Sequence, residues 1–235
     1  MSKRIALLVC VATCVCASAV AQDNTKPGSA DSKQSGSPND QGFSVLQGKS
    51  ASAITPIFSE IVMSQQPVGF HEAYQNTNGG HYTLEMVLKG ETVDQWSQMI
   101  TVTGVQGHSD DPNVTAKTRI EFKASAFKKA CPDTFAAKPL GPMNVSGHEA
   151  FVAWLSCGSS SFGGSFHSES DLVVSIKGTD DYYTIQWAER GPASTQPLAY
   201  DEAKWKDRFS RMNPMKVCPR TPGEGAPYPS CLNQK

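Results

Sequence analysis

The sequence predicts an α+β fold in which amphipathic helices pack on an antiparallel sheet. Adjacent segments alternate apolar and polar residues at a period of two and are joined by turn residues, which is the pattern of hairpins. Two other stretches carry an apolar stripe at helical spacing, one between strand-like runs and one after the last of them.

The chain has 235 residues, and its first 21 read as a Sec-type signal peptide. Lys3 and Arg4 are followed by an apolar stretch from Ile5 to Cys16, too short to span a bilayer, and then by Ala19-Val20-Ala21 as a small-x-small cleavage site before Gln22. Val9, Thr13 and Val15, which precede Cys10, Cys14 and Cys16, are larger than the residues a lipobox carries, so lipidation is not expected. Export to a periplasm or to the medium places the remaining cysteines in an oxidising compartment.

Residues 22–42, QDNTKPGSADSKQSGSPNDQG, contain no aromatic or branched aliphatic side chain. Such a segment buries too little apolar surface to offset ordering entropy and is expected to be a disordered linker. Residues 43–235 then suit one α+β domain.

Within that domain His81-Tyr82-Thr83-Leu84-Glu85-Met86-Val87-Leu88 places Tyr82, Leu84, Met86 and Leu88 on one face of a strand. The turn residues Asn76 to Gly80 pair it with Gly69 to Gln75 in a hairpin. A third strand is expected at Met99 to Gly104, after a short helical or irregular link from Glu91 to Trp96. Asp111-Pro112 should open a helix whose stripe is Ile120, Ala124, Phe127 and Cys131, with Pro132 closing it. Its other side, Lys117, Glu121, Lys123, Lys128 and Lys129, reads as a solvated face.

A Pro- and Gly-rich bend is expected at Lys138 to Pro142, followed by strands at Ala150 to Cys157, Asp171 to Lys177 and Tyr182 to Glu189. The turn Gly178-Thr179-Asp180-Asp181 joins the last two. A final helix is expected from Leu198 to Met212, with Leu198, Trp205, Phe209 and Met212 as its stripe and Asn213-Pro214 as its stop.

Removing the leader leaves Cys131, Cys157, Cys218 and Cys231, which predicts two disulfides. Cys131–Cys157 would tie helix to sheet, and Cys218–Cys231 would close a Pro- and Gly-rich tail; each bridge contributes about 3 kcal/mol. This pairing is preferred, although the sequence allows two others. No Cys-x-x-Cys or Cys–His spacing suggests a redox or metal site.

The candidates for chemistry are sparse. His71-Glu72 and His148-Glu149 resemble a split His/Glu site, but nothing in the sequence brings them together. Ser160 follows Gly158, but Phe162 stands where a nucleophile elbow needs its second glycine, so this segment reads as a hairpin loop. Asp110-Asp111 and Asp180-Asp181 lack the spacing of a calcium loop. Asn113-Val114-Thr115 and Asn144-Val145-Ser146 match the glycosylation triplet. No catalytic, cofactor or metal residues are therefore assigned.

As a loop on a rigid sheet, Ser160 and Phe162 are candidates for a binding surface; Trp154 and Trp187, in strands whose faces the sequence does not assign, are candidates for an aromatic platform, with core placement the preferred reading of the tryptophans. The chain holds 21 basic and 22 acidic side chains and no basic block, which argues against nucleic acid. No apolar run after the leader is long enough for a membrane helix.

Lys89-Gly90-Glu91-Thr92-Val93-Asp94-Gln95-Trp96 followed by Met99-Ile100-Thr101-Val102 resembles a pattern of exported bacterial proteins of uncharacterised role, a Gly-Glu-Thr link, a tryptophan and a Met-Ile/Leu-Thr strand. The order of elements is similar to the Mog1/PsbP-like α/β/α sandwich. That resemblance implies an accessory or binding module and transfers no functional residues. The expectation is an exported, non-enzymatic binding domain whose partner is another envelope protein. The rivals are an envelope hydrolase using Ser160 or His148 with Glu149, and a small-ligand or glycan carrier using Trp154 or Trp187.

Overall fold

The computed structural model describes residues 43–47, 50–161 and 165–234. The expected signal peptide, the expected linker and Phe162 lie outside them. The fold is α+β, with two antiparallel sheets and two longer helices.

The larger sheet has seven strands in the order β4 (Phe70–Asn78), β5 (His81–Leu88), β6 (Gln98–Val105), β10 (Tyr182–Pro192), β9 (His167–Lys177), β8 (His148–Ser160) and β7 (Phe135–Val145). Alternation sets its two faces. Val152 and Trp154, Leu172 and Val174, and Ile185 and Trp187 point to one side and enter the main core. Ala153, Leu155 and Val173 point to the other, where they meet Ile120, Ala124 and Phe127 of α1 (Ala116–Ala130).

The main core is closed by α2 (Glu202–Met212), through Trp205, Phe209 and Met212, and by a second sheet. That sheet runs β1 (Phe43–Gln47), β2 (Ser50–Ile57), β3 (Glu60–Pro67) and β11 (Lys216–Pro219). Ile57, Val62 and Val217 face the larger sheet, while Ile54, Ile61, Met63 and Cys218 pack under the C-terminal tail with Tyr228 and Cys231. The tail ends in the short α3 (Pro229–Leu232). The layers are therefore α1, the seven-stranded sheet, the smaller sheet beside α2, and the tail. The sheets approach closely enough that a Cβ on Gly104 of β6 would lie 2.5 Å from the Ile57 side chain.

A buried polar clamp joins the two sheets. Asp181, in the β9–β10 turn and 2% exposed, accepts hydrogen bonds from Gly107 N at 2.8 Å, Ser59 Oγ at 2.7 Å, Ser59 N at 3.3 Å and the Tyr183 hydroxyl at 3.3 Å. Glu60, in β3, accepts from Thr179 N at 3.0 Å. A Cβ on Gly178 would lie 2.1 Å from the Glu60 carboxylate, so only glycine fits there. Burial, with the charges of Glu60 and Asp181, pushes the Tyr183 hydroxyl far above its ordinary range, leaving it a neutral donor. On the same face of the large sheet, Glu189 of β10 pairs with Lys204 at 2.5 Å and Arg208 at 2.7 Å and fixes α2 in place.

Several expectations are corrected. The first helix begins at Ala116, not at Asp111, because Thr115 and Thr118 form a reciprocal capping box, while Asp111 Oδ1 accepts Asn113 N in a tight turn. The second begins at Glu202, not Leu198, because Asp201 caps Lys204 N at 3.0 Å. The expected bend at Lys138 to Pro142 lies inside β7. As an edge strand β7 accommodates Pro139 and Pro142, with Leu140 bulged out. The segment expected to be a hairpin loop at Gly158 to Ser165 is still strand β8 through Ser160. The second sheet was not expected at all.

The clamp predicts that Asp181→Ala destabilises the protein by about 3 kcal/mol in urea unfolding, because Ser59, Gly107 N and the Tyr183 hydroxyl lose a shared charged acceptor. A loss below about 1 kcal/mol would show that water replaces the carboxylate.

Candidate functional site

The two His/Glu pairs lie far apart in the sheet. His71 and Glu72 are on the β4 edge, and His148 and Glu149 are on β8, with β5, β6, β10 and β9 between them. Glu149 Oε1 accepts the Ala116 N–H at 3.0 Å and so serves the N-terminus of α1. His148 Nε2 stands 3.9 Å from Glu60 Oε1, beyond hydrogen-bond reach.

Of the residues named as a binding surface, Trp154, Trp187 and Ser160 are buried. Trp154 is 2% exposed and Trp187 0%, because both project from the sheet into the side that α2 and the smaller sheet cover. Trp187 meets Phe70 edge-on at 5.4 Å, and Trp154 meets Tyr200 likewise. Ser160 is 3% exposed and lies opposite His167 in the β8–β9 register. His167 Nδ1 donates to the Ser165 carbonyl at 2.8 Å, and Nε2 faces Glu169 at 3.5 Å, so the ring is turned to these groups.

Cys131 is bridged to Cys157 and Cys218 to Cys231, with Cα separations of 5.8 and 5.6 Å. A shallow depression of about 230 Å³ beside the second bridge is lined by Cys218, Pro219, Thr221, Ser230, Asn233 and Gln234 and offers no titratable group. Among the described residues no group of three His, Cys, Asp or Glu is placed to hold a metal.

What remains is a surface that the sequence reading did not single out. Helix α1 packs chiefly on β8, β9 and β7 of its face of the large sheet and reaches β10 at its end, where the Arg119 guanidinium lies over the Tyr182 ring. On β10, β6 and β5 the registers align two cross-strand rows, Thr184–Thr103–Thr83 and Gln186–Thr101–Glu85, all half-buried and polar. Among the described residues no helix packs extensively on β5 or β6. Burial raises the Glu85 carboxyl above its ordinary range against the pull of Arg190.

One end of this polar floor is closed by the Gly90–Trp96 link. Gly90 turns at φ +92°, Ser97 Oγ donates to Glu91 Oε1 at 2.5 Å, and Thr92 and Gln95 bond each other's backbones. Trp96 then lies on Val87, Met99 and Ala188, with the Arg190 guanidinium 3.8 Å from its ring centroid. Arg190 also donates to Glu169 at 3.0 Å. Burial opposes ionisation of Glu169, yet the hydrogen bonds and charges of His167 and Arg190 hold its carboxyl below the ordinary range.

The floor ends at β4, an edge strand paired only to β5 among the described residues. Past Phe70 every β4 side chain is exposed. A tight two-residue turn at Gly79-Gly80, with φ +56° and +77°, sets Asn78 opposite His81. The antiparallel alternation then turns the N–H and C=O of Gln75 and Thr77 away from β5. The opposite edge, β7, is blunted by Pro139, Pro142, Lys138 and a bulge, while β4 has a bulge at Ala73 and no Pro or Lys.

Neither a protein-family model nor a curated protein matches the sequence. Solved structures show distant similarity. The Ran-binding protein Mog1p of Saccharomyces cerevisiae is 16% identical with a TM-score of 0.36, over 63% of this chain and 77% of that one. A variant of the protein Mog1 is 15% identical with a TM-score of 0.36, over 72% and 84%. Cyanobacterial PsbP from Synechocystis is 12% identical with a TM-score of 0.38, over 78% and 91%. Scores of this size carry no argument about role, and the fold class rests on the chain's own sheets and helices.

Arg190 is the cation shared by Trp96 and Glu169. Arg190→Met is expected to lower stability by about 2 kcal/mol at neutral pH, because Glu169 loses its partner while staying largely buried. Urea unfolding at neutral pH checks this, and a change within about 0.5 kcal/mol would count against the assigned pairing.

Proposed function

We propose that this protein is an exported, non-enzymatic binding domain of the bacterial envelope, which engages another protein through the β4 edge and the adjoining polar floor. The observation that carries the reading is the difference between the two edges of the large sheet. An exposed edge is a template for pairing with another chain, and proteins ordinarily blunt it. Here β7 carries the blunting devices, whereas Gln75 and Thr77 on β4 offer backbone donors and acceptors to an incoming strand. Tyr74, 42% exposed, stands on the floor side beside Glu85 and gives such a strand an aromatic contact.

The leader-like N-terminus and the bridged cysteines support location in an oxidising compartment outside the cytoplasm. No helix among the described residues is long and apolar enough to cross a membrane. The hydrolase reading loses its support because Glu149 is engaged at the α1 N-terminus and Ser160 is buried. The tryptophan-based glycan reading loses its support because Trp154 and Trp187 are inside the core.

The test uses proline at positions whose N–H points outward. Gln75→Pro with Thr77→Pro leaves the ladder to β5 intact and removes both outward donors, so stability is expected to change by less than about 1 kcal/mol. Cross-linking of the tagged mature protein in its own envelope should capture one dominant protein, and the double variant should lose it. Capture that is equal in the two forms would overturn the proposed edge. Turnover of an envelope substrate that one point substitution abolishes would overturn the non-enzymatic reading.

A further inference from the structure

We propose that Asp171 is a proton-controlled latch between α1 and the seven-stranded sheet: the helix stays seated while Asp171 carries its proton, and the seam loosens when it ionises. The position of Asp171 suggests this role. In the cross-strand row Leu155–Asp171–Ala188, Leu155 belongs to the apolar patch under α1 and Ala188 to the patch under Trp96. Asp171 thus lies at the seam between two dry clusters, and it is 0% exposed.

Its partners suit a neutral acid better than an anion. Gln186 Nε2 donates to Oδ2 at 2.6 Å, while Oδ1 is buried without a hydrogen-bond partner. An ionised carboxylate in such a place would need both oxygens satisfied. The charged and titratable groups around it come from three elements. Glu169 and His167 share its strand, Arg190 comes from β10 and Lys123 from α1, while β8 places Leu155 opposite.

Glu169 already holds the hydrogen bond of Arg190, so a second negative charge two residues along the same face would meet repulsion. Lys123 Nζ lies 5.8 Å from the Phe127 ring centroid and makes no ion pair with Asp171 among the described residues. Burial, followed by the charge of Glu169, accordingly raises the Asp171 carboxyl well above the ordinary carboxylate range, against the weaker pull of Lys123 and Arg190. The Cys131–Cys157 bridge keeps the C-terminal end of α1 on the sheet, which limits the loosening to a local opening.

The sign follows from proton linkage. The closed state binds the proton more tightly than an open state in which Asp171 reaches water. Stability of the seam is therefore full below the ordinary aspartate pKa of about 4 and is lost as pH rises toward the raised value, with opening favoured about tenfold per pH unit in that window.

The experiment is amide hydrogen exchange of residues 116–130 in the mature protein from pH 5 to pH 8, corrected for intrinsic exchange rates. The wild-type protein should show an opening constant that rises with pH, by about tenfold or more in total. Asp171→Asn should flatten that rise, whereas Glu85→Gln, which removes the other carboxyl raised by burial, should leave it unchanged. A flat wild-type profile, or the same rise in wild type and Asp171→Asn, would overturn the latch. If Asp171→Asn does not fold, carboxyl-carbon NMR of the wild-type protein decides. Asp171 still protonated at pH 6 supports the proposal, and Asp171 ionised at pH 6 overturns it.

Discussion

The Asp181 carboxylate is the constraint on which the arrangement of the two sheets depends. It gathers a backbone N–H from the segment after β6, both donors of Ser59 between β2 and β3, and the Tyr183 hydroxyl. The β2–β3 hairpin is thereby fixed to the end of the large sheet, with Glu60 bonding the same β9–β10 turn at Thr179. Once that end is set, Ile57 reaches Gly104, and Val62 and Val217 close the core over Tyr183, Ile185 and Trp187. The smaller sheet and α2 occupy one face of the large sheet together. Only α1 is left for the other face, and it is too narrow to cover seven strands.

Half of that face remains bare, and the candidate site follows from it. Trp96 and Arg190 cover one end, where Val87, Met99 and Ala188 would otherwise meet water. The remaining positions of β5, β6 and β10 carry threonine, glutamine and glutamate, side chains that tolerate half-burial in a sheet. The face ends at β4, whose open backbone leaves the large sheet one edge without proline or lysine. Asp171 marks the line where the apolar ground under α1 gives way to this polar floor.

The sequence made the hairpin strands legible because each is buried on one face, so that Tyr82, Leu84 and Met86 alternate with polar residues. Cys131 at the end of a helical stripe and Cys157 at the end of a strand run were legible for the same reason. The smaller sheet was not, because β3 is buried almost throughout, with Ser64 and Gln65 inside beside Ile61 and Met63, which removes any period. Gln65 is satisfied there by donating to Ser52 Oγ at 2.7 Å, a tertiary fact that no local pattern announces. Trp154 and Trp187 stood open between core and platform because strand periodicity separates two faces without saying which is covered; the structure places both in the core. The floor was recoverable in part. Thr83 with Glu85, Thr101 with Thr103, and Thr184 with Gln186 are the polar alternates of three strands, but only the register places them side by side. The Gly90–Trp96 link closes one end of that floor.

The claim at the centre of this account is that β4 is an open edge which another protein completes. Residue-resolved amide exchange of residues 22–235, alone and then mixed with a detergent extract of the cells that produce the protein, tests it most directly. Alone, the Gln75 and Thr77 amides should exchange rapidly while Asn76 and Asn78, paired to β5, are protected, and the extract should slow Gln75 and Thr77 specifically. Protection of Gln75 and Thr77 in the isolated protein, or no slowing in the extract, would contradict it.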